Sequence, residues 1–402
     1  MSPLYWQVAI CGDRLALGIR YRFTLLRAII ARRRRLAENG RSYSSIVSLT
    51  QLLTKLLTNP LTMTPTLPVA AFLNRPMPVA WDGQTLRNRV ALAPMAGMTD
   101  VPFRTLAWRF GAGHMVSEMV TSKPELWDTG KSRARRVLIP HVQPQAVQIA
   151  GHDPLVMAES ARRLVDDGVE WIDINFGCPA KKVCRKAAGS ALLADIDQIS
   201  RIVAAVASAV DVPVSVKTRI GLTLDDNAGT QAAVAAQEAG AQLIVMHGRS
   251  RACRFKGHAC PERLHEARNK LRVPLLVNGD IVDLASAERA LQRSGADGVM
   301  VGRGAMGQPW IFAKLLGHSL PSGEAKLDLI REHLDAMHGF YGAEAGVRIA
   351  RKHIQAYLQH WGAPELIGDF MTLADAKQQH AWLLARHQQM LQRSEYVVTQ
   401  RK

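Results

Sequence analysis

From Arg89 onward, short apolar runs alternate with longer stretches whose apolar residues recur at helical spacing. The runs are "RVALAPMAG", "GHMVSEMV", "QAVQIAG", "EWIDINFGCP", "VPVSVKTRIG", "QLIVMHGR", "VPLLVNGD" and "DGVMVGRG", and each ends in glycine or polar residues. Runs apolar on both faces suit a parallel sheet covered by helices. Eight successive strand–helix units predict an α/β fold, a closed (β/α)₈ TIM barrel. The alternative, a doubly wound open sheet, normally carries a glycine-rich motif after its first strand, and none stands there. Helix punctuation agrees. "HDPLVMAESARRLVDDGVE" offers Asp153 as a cap, Pro154 in the first turn and Gly168 as a stop, and two later segments stop at Gly240 and Gly295.

Beyond about residue 320 the strand signal ends. "AKLDLIREHLDAMHGFYG", "GVRIARKHIQAYLQHWG" and "LADAKQQHAWLLARHQQMLQRS" read as three helices. The expected organisation is therefore a basic N-terminal extension outside the fold (1–75), a catalytic barrel (76–318) and a small C-terminal helical domain (319–402). In the middle helix, Arg348, Arg351, Lys352 and Gln355 are three or four residues apart and share a face. Ile349, Ile354, Tyr357 and Leu358 fall toward the other side.

Charge changes this picture. The 402 residues carry a net charge of +17, with an otherwise ordinary 48% hydrophobic and 21% charged residues. Such a balance draws a protein to a polyanion, nucleic acid foremost. Residues 1–62 hold ten Lys/Arg against Asp13 and Glu38, close to half of the excess. A basic arm and an Arg-rich transit peptide are both open readings. The preferred one is that the natural start is Met63, just before the recognisable pattern. Five irregularly spaced cysteines make no disulfide framework, and no apolar run reaches a membrane span. A cytoplasmic chain, monomeric and without a membrane, is expected.

Barrel chemistry gathers at the C-terminal ends of the strands. There the runs place "APMAG" (Pro94, Met95, Ala96), Gln148, Asn175 and Cys178, Lys217 and Arg219, His247 and Arg249, Asn278–Gly279–Asp280, and Gly302–Arg303. Glycine-rich turns after strands seven and eight suit a phosphate. A cation and an amide across the mouth suit a flavin ring. So many polar side chains at one end of successive strands are costly as mere core. The "GCP" turn is followed by Lys181, Lys182, Arg185 and Lys186, a cationic loop suited to phosphates. "CRFKGHAC" does not match the paired spacings of structural zinc, so no metal is expected.

Together "LAPMAGMTDVPFR", "DINFGCPAKKV", "AGSALL", "VPVSVKTRIG", "HGRSRACRFKG", "VNGDI", "GADGVMVGRGAMGQPWIF" and "RIARKHIQAYLQHWG" resemble the tRNA-dihydrouridine synthases, most of all their bacterial B-type branch. The resemblance spans roughly residues 75 to 375 and omits residues 1–62. It implies a flavin oxidoreductase that binds FMN, takes electrons from NADPH or NADH, and reduces uridine to 5,6-dihydrouridine in the D-loop of tRNA, its partner. By the same resemblance hydride is expected at carbon 6 of the uracil, with Cys178 the acid that protonates carbon 5. Pro94, Met95, Ala96, Gln148, Lys217, His247, Asn278, Gly279, Asp280, Gly302 and Arg303 are implied to hold FMN. Asn175, Lys181, Lys182, Arg219, Arg249, Arg351 and Lys352 are implied to meet the RNA. Cys184 departs from the Asn expected after "AKKV". Two rivals remain: an FMN barrel acting on a small pyrimidine, like dihydroorotate dehydrogenase, and a catalytically silent RNA-binding barrel.

Overall fold

All eight runs form strands, and the eight-strand count hides one break. The computed structural model describes residues 67–400, with side chains up to Arg393; the basic segment 1–62 and Met63 lie outside the described residues. A small antiparallel hairpin, β1 (Met77–Pro78) and β2 (Thr85–Leu86), comes first. The barrel strands are β3 (Val90–Leu92), β4 (His114–Met115), β5 (Val120–Thr121), β6 (Ala146–Ala150), β7 (Trp171–Asn175), β8 (Val214–Arg219), β9 (Leu243–His247), β10 (Leu275–Asn278) and β11 (Gly298–Val301).

Their order is β4-β3-β11-β10-β9-β8-β7-β6-β5, parallel throughout. The two edges, β4 and β5, are halves of the single run "GHMVSEMV". A bridge from Val116 to Ala146 joins them to β6, so the sheet closes on itself. Closure removes the exposed edges an open sheet must protect. The break carries Ser117 and Glu118, both buried. The Ser117 hydroxyl accepts the Gln148 amide at 3.2 Å, and the Glu118 carboxylate accepts the Gly97 amide at 2.5 Å. An interruption in a strand re-aims side chains; here it ties the second strand to the loop after the first.

The covering helices follow their caps. The Asp153 carboxylate accepts the amides of Leu155 and Val156 at 2.9 and 3.0 Å, opening Pro154–Asp166. Asp283 and Ser286 form a reciprocal capping box, and that helix, Leu284–Ser294, ends on Gly295 at φ +69°.

Residues 67–75 correct the expected boundary. Their helix, Val69–Leu73, packs onto the barrel: Leu73 is fully buried in the core, and its carbonyl accepts the Arg89 amide at 2.8 Å. Next to it, Met77, Val79 and Leu86 of the hairpin join Trp171, Leu243, Val245, Leu276 and Met300 in one apolar cluster inside the barrel. The hairpin thus plugs the N-terminal end.

The tail holds the helices Gly323–Tyr341, Ala343–His360, Ile367–Thr372, Ala376–Ala385 and His387–Gln400. The third expected helix is split at Arg386. The tail has its own core, including Ile330, Leu334, Met337, Ile354, Tyr357 and Leu358, and it takes in Leu106 and Trp310 from the barrel. So the tail is seated on the barrel helix Val101–Arg109.

Leu73→Ala tests whether the segment before the hairpin belongs to the fold. Removing a fully buried leucine should cost about 2–5 kcal/mol in denaturant unfolding; an unchanged midpoint would put residues 67–75 outside the folded unit.

Candidate active site

At the C-terminal ends of the strands opens a cavity of about 920 Å³. Pro94, Met95, Ala96, Gln148, Asn175, Cys178, Lys181, Lys217, Arg219, His247, Arg249, Asn278, Gly279, Asp280, Gly302 and Arg303 all line it, so every expected cofactor residue meets in one place. Lys182 is exposed on the adjoining loop and does not line it.

The floor is built on a hydrogen-bond chain. The Trp171 indole donates to the Ser215 hydroxyl at 2.8 Å, which donates to the Asp173 carboxylate at 2.5 Å. The other Asp173 oxygen accepts the Gln148 amide at 2.6 Å, and the Gln148 carbonyl accepts the Asn175 amide at 2.7 Å. The Asn175 side-chain oxygen then accepts the backbone N–H groups of Gly177 and Cys178 at 3.1 and 2.9 Å. Asn175 therefore sets the turn that carries the thiol. Burial pushes the Asp173 carboxyl up to about 6, against the hydrogen bonds from Ser215 and Gln148 that pull it down. Asp173 is a site residue that the sequence reading passed over; the one signal the sequence holds is an acid within the apolar run "WIDIN".

Lys217 reaches into the cavity and donates to the Asn278 side-chain oxygen at 3.1 Å. Burial, then repulsion from Arg219, lowers it to about 8. Burial, then the cations Lys217, Arg219, Arg249 and Arg303, pushes His247 far down, so it is neutral. Burial also raises the Cys178 thiol, with the Ala180 amide pulling the other way. A raised thiol stays protonated at neutral pH and has a proton to give.

Two arginines expected at the RNA are chiefly struts. Arg249 is 2% exposed and donates to both Asp280 oxygens at 2.7 Å and to the carbonyls of Lys256 and Gly257. Arg219 donates to the carbonyls of Gly177, Ser250 and Arg254. Charges this deep need such partners. Both hold the loops of the mouth, and Asp280 serves Arg249, the Ala259 amide and Arg303 at 3.6 Å. Between Arg219 and Arg303 stands Phe255, 56% exposed, its ring 5.4 and 5.7 Å from the two guanidinium groups.

Arg351 corrects the expected cationic helix face. It is half-buried and donates to the Leu373 carbonyl at 2.8 Å, inside the tail. Lys352 is exposed and leans to the mouth: a Cβ placed on Gly97 would lie 3.1 Å from its Nζ.

A model of the family described as "Dihydrouridine synthase (Dus)" matches residues 91–394. The chain belongs to the dihydrouridine synthase family. It is 47% identical over 306 residues to "tRNA-dihydrouridine synthase B" of Pseudomonas aeruginosa, covering 74% of this chain and 92% of that protein. To the protein of the same name from Escherichia coli K12 it is 45% identical over 303 residues, covering 73% and 94%. It is therefore an enzyme of a flavin oxidoreductase family.

The residues lining the cavity fit the flavin that the family implies. Gly302 leaves open space beside Asn278 and Met95, where a Cβ would meet nothing closer than 3.7 Å, and Arg303 adjoins it. Gly279 lies at φ +127° and has no room for a side chain, since a Cβ would come within 2.7 Å of Ala259. Bare backbone and a cation at one end, with Lys217 and small residues at the other, fit a phosphate and a flat ring.

Gln148→Leu would leave both Asp173 and Asn175 short of a buried partner. Each loss costs about 1–3 kcal/mol. Thermal unfolding should therefore fall and flavin content with it; wild-type melting and full flavin would mean the chain is dispensable.

Proposed function

We propose that the chain reduces the 5,6 double bond of uridine in the D-loop of tRNA, using FMN and electrons from NADPH or NADH. The observation that carries this is the placement of the Cys178 thiol, its turn held by Asn175 at the edge of a flavin-sized cavity and beside an exposed cationic loop. FMN, when bound, would supply hydride chemistry. Gly279, Gly302 and Arg303 would hold its phosphate, Lys217 and Gln148 its ring, and Pro94, Met95 and Ala96 would form the wall. Asn278 aligns Lys217, His247 stands neutral beside them, and Asp280 works through the loops it braces.

Cys178 gives its proton to carbon 5 of the uracil. Buried surroundings make the thiolate left behind unfavourable, so the thiol is readily reprotonated for the next turnover. A base inside duplex stacking cannot reach this cavity, so the uridine must be turned out of the folded RNA. Lys181, Lys182 and Lys352, exposed around the mouth, meet the phosphates on either side. The B-type relatives carry tRNA in their names, which supports this substrate.

Cys178→Ala should keep its FMN and its oxidation of NADPH in air, while reduction of tRNA uridine drops about a hundred- to ten-thousand-fold. The measurement is dihydrouridine formed per flavin; undiminished turnover would take the proton from elsewhere.

Replacing Lys182 and Lys352 together by Ala should weaken tRNA binding and flatten the plot of log affinity against log salt by roughly one to two units. Arg351→Ala, which touches the tail and not the mouth, should leave that slope alone and lower the melting temperature. The reverse pattern would move the docking surface to the buried side of the helix.

A further inference from the structure

A second polar cluster lies outside the cavity, where the tail meets the barrel. Asp100 ends the loop that begins at Pro94. One of its oxygens accepts the Phe103 amide at 3.0 Å and caps the helix Val101–Arg109. The other faces two groups of the tail: the Tyr341 hydroxyl donates to it at 3.2 Å, and His353 Nε2 lies 3.5 Å away. Beside them His333 pairs its Nδ1 with the Tyr357 hydroxyl at 3.0 Å. The two imidazoles meet edge to face, with ring centres 4.7 Å apart, and Phe103 packs against both.

One ligand-type atom from each of Asp100, His333 and His353 lies within 4.8 Å of the other two. The three residues are 4%, 1% and 2% exposed. Nε2 of His333 is buried without a hydrogen-bond partner, and Nε2 of His353 has only the long contact to the Asp100 carboxylate at 3.5 Å. A buried ring nitrogen with no partner, beside a second whose one contact is long, is costly as plain packing.

We propose that Asp100, His333 and His353 bind a divalent transition-metal ion of the zinc class, which fastens the helical tail to the barrel. Two nitrogens and a carboxylate oxygen suit zinc, cobalt or ferrous iron and are a poor set for calcium or magnesium, which take oxygen. Zinc bonds of about 2.0–2.1 Å place neighbouring tetrahedral ligands roughly 3.3 Å apart, close to the Asp100–His353 spacing. A small turn of His333 brings in the third ligand, and water or the Tyr341 oxygen completes the set. In the tautomer with Nδ1 protonated, the Tyr357 oxygen accepts from it and Nε2 is the ligating nitrogen, the outer contact that metal-bound histidines normally have. Arg104, buried near Asp100, opposes a cation, and Glu118 offsets it in part. Ligands drawn from residues 100, 333 and 353 have no sequence spacing to betray them.

The test is to dialyse the intact flavoprotein with zinc, remove the excess, and measure zinc per chain together with the zinc-edge X-ray absorption. The thiols of Cys178, Cys184, Cys253 and Cys260 are free and compete for the same ion. Scattering separates the two sites, because sulfur lies at about 2.3 Å and nitrogen or oxygen at about 2.0–2.1 Å. The expected result is one zinc per chain with a nitrogen–oxygen shell and a higher melting temperature. His333→Gln and His353→Gln should lose that zinc while keeping FMN. Sulfur in the shell, no retained zinc in the wild type, or equal retention by the two variants overturns the proposal. If a variant fails to fold, the wild-type spectrum alone still decides.

Discussion

A single buried carboxylate sets the geometry on which the rest of the site depends. Asp173 sits inside the barrel, 1% exposed, where a carboxylate survives only with its oxygens engaged. Ser215 takes one oxygen and Gln148 the other. Satisfying Gln148 in turn orients Asn175, and Asn175 holds the backbone of the thiol turn. Three neighbouring strands, β6, β7 and β8, are thereby locked in register at the point where the cavity opens. A mispaired strand would strand a buried charge, so the polar chain specifies one closure of the barrel where apolar packing alone would tolerate several.

The loops above this floor are braced by charge. Arg219 and Arg249 bind six backbone or carboxylate partners between them, and these are the residues that hold the long segment after β9 over the cavity. The mouth keeps its cationic character through Arg303, Lys181, Lys182 and Lys352, which are exposed. Buried cations thus shape the entrance, and exposed ones face what comes to it.

Much of this was legible in the chain. Eight apolar runs ending in polar residues are a pattern with few structural solutions, and the barrel follows from it. The cavity residues were legible for the same reason, since a strand end is a fixed address in this architecture. What escaped was contact made across distance. Asp173 reads as one polar letter in an apolar strand until its partners from β6 and β8 are known. Arg351 shares a helical period with Lys352, yet a helix wheel does not say that the Leu373 carbonyl waits on one side and Gly97 on the other. Residues 67–75 lack a periodic signal, and only the packing of Leu73 shows their part. Cys184, the departure from the expected Asn, points its sulfur at the Cys178 carbonyl, 3.6 Å away, and at Ser190, so it packs behind the turn it neighbours.

The hairpin plug at the far end of the barrel has a kinetic consequence. With Met77, Val79 and Leu86 filling the interior below Trp171, the chamber has a floor and is entered from the strand ends alone. Any molecule drawn into the chamber leaves by the way it came, so two visitors that need the same depth of the cavity take turns at one doorway.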